Sequence, residues 1–171
     1  MLRRSLLTSA IAASLLTTFS LPAFATQVYE TDLVIIGGGL SGLAAAQSAV
    51  DQGAKPIVLE KEAALGGGGN FPEGSLGVGT RYQKEHNINT TVDQVLTAAL
   101  QYHHYRADPH VLRVLIEESG KTIDWVMDKG AQMRGIRTMY PKDESLMTWH
   151  LFKGGAAGII QRLSLIHISE P

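Results

Sequence analysis

The sequence predicts an α/β fold organised around parallel strands, and three observations carry that expectation. The stretch "DLVIIGGGLSGLAAA" (32–46) runs from an apolar segment through closely spaced glycines into alanine-rich sequence, the succession of strand, tight turn and helix. A second apolar segment, "KPIVLEK" (55–61), follows after one helix length, as a strand–helix–strand unit requires. The chain has 171 residues and 18 glycines, more than average usage predicts, and the glycines cluster beside these segments.

Residues 31–36 carry "LVII", a run suited to a strand buried on both faces. Gly37, Gly39 and Gly42 then form G-x-G-x-x-G. The first glycine permits the tight turn, the second lets the backbone approach a phosphate, and the third lets helix pack closely on strand. A helix is expected over 40–52, its first residues Leu40 and Ser41 presenting free N–H groups and a partial positive charge to an anion. Gly53 fits the left-handed position past the helix end. The second strand ends at Glu60, 18 residues after Gly42, where a carboxylate can accept hydrogen bonds from ribose hydroxyls. Together these features predict a Rossmann-like dinucleotide-binding turn.

Gly66, Gly67, Gly68 and Gly69 follow as an unbroken run. Such a run exposes backbone N–H groups and allows positive φ, so it can curl around a flat or anionic ligand. Farther on, "TTVDQVLTAALQYHHY" predicts a helix, with Val92, Val95, Leu96, Ala99 and Leu100 at helical spacing. Another helix is expected from Asp108 as cap and Pro109 at the first position, with Val111, Leu112, Leu115 and Ile116 as its stripe and Gly120 as its end. "KTIDWVMDKG" predicts a separate short helix ending at Gly130, and "MRGIRTMYP" a strand or extended loop.

The formal net charge of −1 gives no case for nucleic acid as a partner. There is no cysteine, which excludes disulfides, thiolate metal sites, cysteine nucleophiles and c-type haem attachment within these residues. No metal site is expected: His103 and His104 are adjacent, so on a helix they face about 100° apart, and His86 and His110 read as surface residues. His150 reads as a structural histidine. Arg81, Arg106, Arg134 and Arg137 are carboxylate-binding types, but no spacing singles one out. Residues 1–25 have a basic start (Arg3, Arg4), an apolar run and a small-x-small end at Ala23-Phe24-Ala25, the plan of a cleaved export signal. The twin arginine leaves the folded-export route open beside the general one. The expected location is periplasmic or secreted, with no membrane association after cleavage.

The stretch "VLEKEAALGGGGNFPEGSLGVGT" resembles the fumarate reductase/succinate dehydrogenase flavoprotein family. In that family the second strand ends in Glu-Lys, here Glu60-Lys61. A Gly-Gly pair follows, here Gly66-Gly67, and later a flavin-facing glycine, here Gly74. Ser41 takes the small-residue position before the last fingerprint glycine. The match departs at Gly68-Gly69, where the family places Asn and Ser or Thr against the cofactor; Asn70 follows as the substitute side chain. "TWHLFKGGAAGIIQRL" resembles a later element, a His-containing strand end and Gly-Gly turn leading into a helix. The resemblance implies FAD as cofactor, bound by Gly37, Gly39, Leu40, Ser41, Gly42, Glu60, Lys61, Gly66–Gly69, Asn70 and Gly74. It implies an FAD-binding domain over 29–163, incomplete in that the capping domain and C-terminal part are missing. The catalytic Arg and His residues of the family lie in those parts, so no catalytic residue is named. The last residues, "LSLIHISEP", resemble translated adaptor sequence, and 164–171 is expected to be non-native.

The function expected from the resemblance is the N-terminal part of an exported FAD-dependent oxidoreductase that reduces a small unsaturated carboxylate or enone, with a redox partner protein as electron source. Three alternatives stand beside it: a non-catalytic flavin-binding protein, another family activity such as ketosteroid dehydrogenation, and an NAD-dependent dehydrogenase. Glu60-Lys61 and the glycine run argue against the last.

Overall fold

The computed structural model describes residues 28–139 and 146–165, for Leu165 the backbone only. The expected export signal (1–25), most of the expected non-native tail and the end of "MRGIRTMYP" lie outside the described residues. The chain divides into Met1–Glu30 and Thr31–Pro171, and the second unit carries the fold.

The first strand, β1 (Leu33–Ile36), leads through the glycine turn into α1 (Leu40–Asp51) and then β2 (Pro56–Leu59). β1 and β2 pair in parallel with Leu33 opposite Pro56 and Ile36 opposite Leu59, and α1 packs on them. The helix closes at Gln52, and Gly53 follows with φ of +82°. Asp32 ties the far end of the pair by accepting the Lys55 N–H at 2.9 Å.

One expectation fails here. Leu33, Val34, Ile36 and Leu59 are exposed, so β1 is not buried on both faces. The parallel sheet has two strands among the described residues. Among the described residues α1 packs on one face of the pair, and the apolar side chains of the other stay exposed.

The remaining strands form a second sheet. β3 (Gly74–Leu76), β4 (Met133–Thr138) and β5 (Met147–Phe152) pair antiparallel in the order β3-β5-β4. β4 falls on the stretch read as a strand or extended loop, β5 on the stretch resembling a His-containing strand end, and β3 alone was not signalled. β3 has three residues, two of them Gly and Ser, too few to show a period of two. β5 buries Thr148, His150 and Phe152 on alternate positions.

Two short helices follow β3. α2 (Arg81–Glu85), also unsignalled, and α3 (Val92–Tyr102) each start on a reciprocal cap: Thr80 with Gln83, and Thr91 with Gln94. α4 (Pro109–Asp128) begins as expected, Asp108 accepting the His110 N–H at 2.8 Å with Pro109 at the first position. It does not stop at Gly120 but runs 20 residues, absorbing the expected third helix. Gly120 is interior because a Cβ there would collide with the Val78 carbonyl oxygen. The buried stripe shifts accordingly to Ile116, Ser119, Gly120, Ile123 and Val126, leaving Val111 and Leu115 exposed.

The last helix, α5 (Gly155–Leu165), packs against α1 and β5. Leu43 of α1, Ile123 and Val126 of α4, Phe152 of β5 and Ile159, Ile160 and Leu163 of α5 form the larger core. Val78, Val95, Leu96 and Ile116 form a smaller one between α3 and α4. Ser164 and Leu165, assigned to the expected tail, continue α5.

Candidate functional site

The two glycine segments, about thirty residues apart in sequence, meet in the fold. The Gly66 N–H donates to the Gly38 carbonyl at 2.7 Å, and Gly39 and Gly66 form a parallel bridge. Glu60 closes the same corner: its Oε2 accepts the Gly38 N–H at 2.7 Å and its Oε1 the Glu62 N–H at 3.0 Å. Those amides, Glu62 first and Gly38 second, hold the Glu60 carboxyl below the usual carboxylate range, so it is ionised at neutral pH. Each of its oxygens keeps a further lone pair for a hydroxyl donor.

The turn itself depends on two glycines. Gly37 has φ of +100°, and its N–H donates to the Leu59 carbonyl at 2.7 Å. Gly42 stands over that turn, where a Cβ would strike the Gly37 carbonyl oxygen. The close helix–strand packing expected of the third fingerprint glycine is therefore a contact of backbone on backbone.

The N-terminus of α1 differs from those of α2, α3 and α4. The latter begin on Thr80, Thr91 and Asp108, whose side chains accept first-turn amides. α1 begins on Gly39, with no side-chain cap and no acid in its first turn. Among the described residues no side chain caps its first N–H groups, where the helix carries its partial positive charge. Space is open where Cβ atoms would stand on Gly37, Gly67 and Gly68. An uncapped helix end, open glycine backbone and one ionised carboxylate suit the pyrophosphate and ribose of a dinucleotide.

Other expected residues take different places. The Leu40 side chain lies against Gly69, which could carry no Cβ beside it. Ser41 is exposed on the first turn of α1. Lys61 points to solvent and pairs with Glu62 at 3.2 Å. The Asn70 amide turns inward along the chain: its Nδ2 donates to the carbonyls of Leu65 at 3.0 Å and Gly67 at 3.3 Å, clasping the glycine run as a 310 turn over Gly67–Asn70. Gly74 opens β3, with the His150 carbonyl oxygen where a Cβ would go. Arg81 binds Asp128 at 2.7 Å, and Arg134 and Arg137 share Glu73 at 2.6 and 2.9 Å. Among the described residues no group of His, Asp and Glu is arranged to hold a metal.

Sequence reasoning missed the network behind β3. His150 has no exposed surface. Its Nδ1 lies 3.0 Å from the Thr148 carbonyl, an acceptor only, so Nδ1 carries the proton. Nε2 then accepts the Thr80 hydroxyl at 2.9 Å. Thr80 Oγ1 accepts the Gln83 N–H at 3.0 Å, and Gln83 Nε2 donates to the Met147 carbonyl at 2.7 Å. Desolvation pushes the His150 pKa down, in keeping with a neutral ring. The S/T-x-x-E/Q spacing of "TRYQ" is the signal that marks Thr80 and Gln83 as a cap; nothing in the sequence ties them to His150.

The fold and this corner define a flavin-type dinucleotide-binding domain: a parallel βαβ unit, a glycine turn and a second glycine segment folded against it. A family model described as "FAD binding domain" matches residues 32–158. The chain is 35% identical over 129 residues to a vinyl phenol reductase of Lactiplantibacillus plantarum, covering 75% of this chain and 26% of that protein. It is 31% identical over 143 residues to an NADH:fumarate oxidoreductase of Klebsiella pneumoniae, covering 77% of this chain and 15% of that protein. The open conformation of a flavocytochrome c3 fumarate reductase has the same fold, with a TM-score of 0.65 at 21% identity over 95% of this chain and 27% of that one. The chain belongs to the fumarate reductase/succinate dehydrogenase flavoprotein family of FAD-dependent oxidoreductases. It spans about a quarter or less of the length of these relatives.

Proposed function

We propose that this chain is the N-terminal, cofactor-holding part of an exported FAD-dependent reductase acting on an unsaturated carboxylate or enone. The observation that carries the reading is the uncapped N-terminus of α1, set beside ionised Glu60 and the open backbone of Gly67 and Gly68. The reductase names of the relatives support the reaction class. Export rests on the signal pattern of residues 1–25.

The chain's own residues divide the work of binding. The first N–H groups of α1, from Leu40 and Ser41, meet the pyrophosphate. Glu60 accepts the ribose hydroxyls with the lone pairs left by Gly38 and Glu62. Gly66–Gly69 run alongside the cofactor as bare backbone, kept in shape by Asn70, and Gly74 lies at the flavin end. Lys61 adds a positive charge at the rim. Bound FAD supplies hydride transfer to an activated double bond. The groups that clamp the substrate and deliver a proton are assigned to the capping and C-terminal parts.

Retention of FAD tests the reading. The purified chain is incubated with FAD or NAD, passed through a desalting column, and the retained cofactor measured by absorbance and flavin fluorescence. FAD retained and NAD lost is the expected result. Glu60→Ala removes one charge-assisted hydrogen bond, about 1.5–3 kcal/mol, and should raise the FAD Kd at least tenfold. NAD retained in place of FAD, or an unchanged Kd in Glu60→Ala, refutes the assignment.

A further inference from the structure

Phe71, Pro72 and Glu73 join the glycine run to β3, and this joint is held from two sides. On one side the Ala156 N–H, at the start of α5, donates to the Pro72 carbonyl at 2.9 Å. A Cβ on Gly155 would stand 3.4 Å from the same carbonyl oxygen, so the helix end lies directly against the joint. On the other side Glu73 binds β4: its Oε1 accepts Arg134 at 2.6 Å and its Oε2 Arg137 at 2.9 Å. These guanidiniums, Arg134 first and Arg137 second, hold the Glu73 carboxyl below the usual carboxylate range, so it is ionised at neutral pH.

The contact is built into the sheet. β5 lies between β3 and β4, so Glu73 reaches past the middle strand, and strands two places apart are separated by about 10 Å. In a regular strand residues 134 and 137 point to opposite faces, being an odd number of positions apart. The ladder is irregular at this point: Met133 stands opposite Phe152 and Gly135 opposite Leu151, which leaves Arg134 as an extra residue. Such a bulge re-aims a side chain, and here Arg134 and Arg137 meet on one carboxylate. Gly74, next to Glu73, pairs with the same Leu151.

We propose that Glu73 is a positioning residue for the cofactor: pinned by Arg134 and Arg137, it sets the end of the glycine run and Gly74 in the shape that FAD binds. The inference rests on the reading of the glycine segments as the FAD site. Asn70 holds the run to itself, whereas Glu73 fixes where the run is attached. Ion pairs this exposed add little to global stability. An apparent Kd, however, rises in proportion as the binding-competent shape becomes less populated.

FAD titrations of the full chain, followed by flavin fluorescence, read the effect on binding; urea unfolding of the cofactor-free chain reads the effect on the fold. The sign of the change discriminates. A carboxylate acting through space repels the phosphates of FAD, so its removal would tighten binding. With Glu73 as a pin, Glu73→Gln should raise the FAD Kd about fivefold, the scale of two exposed ion pairs lost together. The visible circular dichroism of the bound flavin should change, and the urea midpoint should not. Arg134→Gln together with Arg137→Gln should weaken FAD to the same extent, and adding Glu73→Gln to them should cost nothing more, because all three report one contact. The proposal is overturned by a Kd that stays or falls in Glu73→Gln, by a loss that adds in full to that of the two arginine substitutions, or by a rise matched by an equal loss of fold stability. In each of these the native chain still binds FAD; a native chain that retains none refutes the cofactor reading itself, and this proposal with it.

Discussion

Replacing Thr80 with valine separates the two jobs of its hydroxyl from its shape. Valine fills nearly the same volume, so the change removes polarity and leaves packing in place. Two losses follow. The His150 Nε2, fully buried, loses the Thr80 hydroxyl at 2.9 Å, and an unsatisfied buried acceptor costs about 1–3 kcal/mol. The Gln83 N–H loses its cap acceptor at 3.0 Å, worth about 1 kcal/mol. The expected destabilisation is about 2–4 kcal/mol. Thr80→Ser is the control: it keeps both hydrogen bonds and gives up one methyl group, about 1 kcal/mol. Urea unfolding followed by circular dichroism reads both midpoints on the same chain. If Thr80→Val is no less stable than Thr80→Ser, the His150–Thr80 hydrogen bond contributes nothing and the network reading is wrong.

Two further outcomes follow from the same geometry. Gly120→Ala gains about 1 kcal/mol of helix propensity, yet its Cβ meets the Val78 carbonyl oxygen, backbone that cannot swing aside; net destabilisation by at least about 1 kcal/mol is expected in urea, and a stabilised variant refutes the close packing of α4 on residue 78. Burial holds the folded-state pKa of His150 below its ordinary 6.5. The unfolded chain therefore takes up a proton at higher pH than the folded one, so the contribution of neutral His150 is complete above pH 6.5 and is lost as pH falls through the folded-state value. The stability difference between the native chain and His150→Gln should shrink between about pH 7.5 and pH 5; a difference independent of pH means that His150 is not held neutral.

What the sequence determined by itself is the local grammar near the first glycine turn. The strand, the G-x-G-x-x-G spacing, Gly53 and Glu60 after the second strand fall where they were expected, and the helix expected over 40–52 ends one residue earlier, because each depends on neighbours within one βαβ unit. Asp108 and Pro109 were legible for the same reason, a cap being a matter of three residues.

Tertiary structure decided the rest. Gly120 reads as a helix end in isolation, and only the approach of residue 78 makes it an interior position. Asn70 reads as a cofactor contact, and only the folded glycine run shows that its Nδ2 also donates to the carbonyls of Leu65 and Gly67. "LVII" reads as a strand buried on both faces, but burial belongs to what packs beside a strand and not to the strand's own residues. The contacts of Glu60 with Gly38, of Gly66 with Gly38, and of His150 with Thr80 span 22, 28 and 70 residues. No local pattern encodes such pairings, because side-chain periodicity reports which face of an element is apolar and says nothing of which distant backbone will meet it.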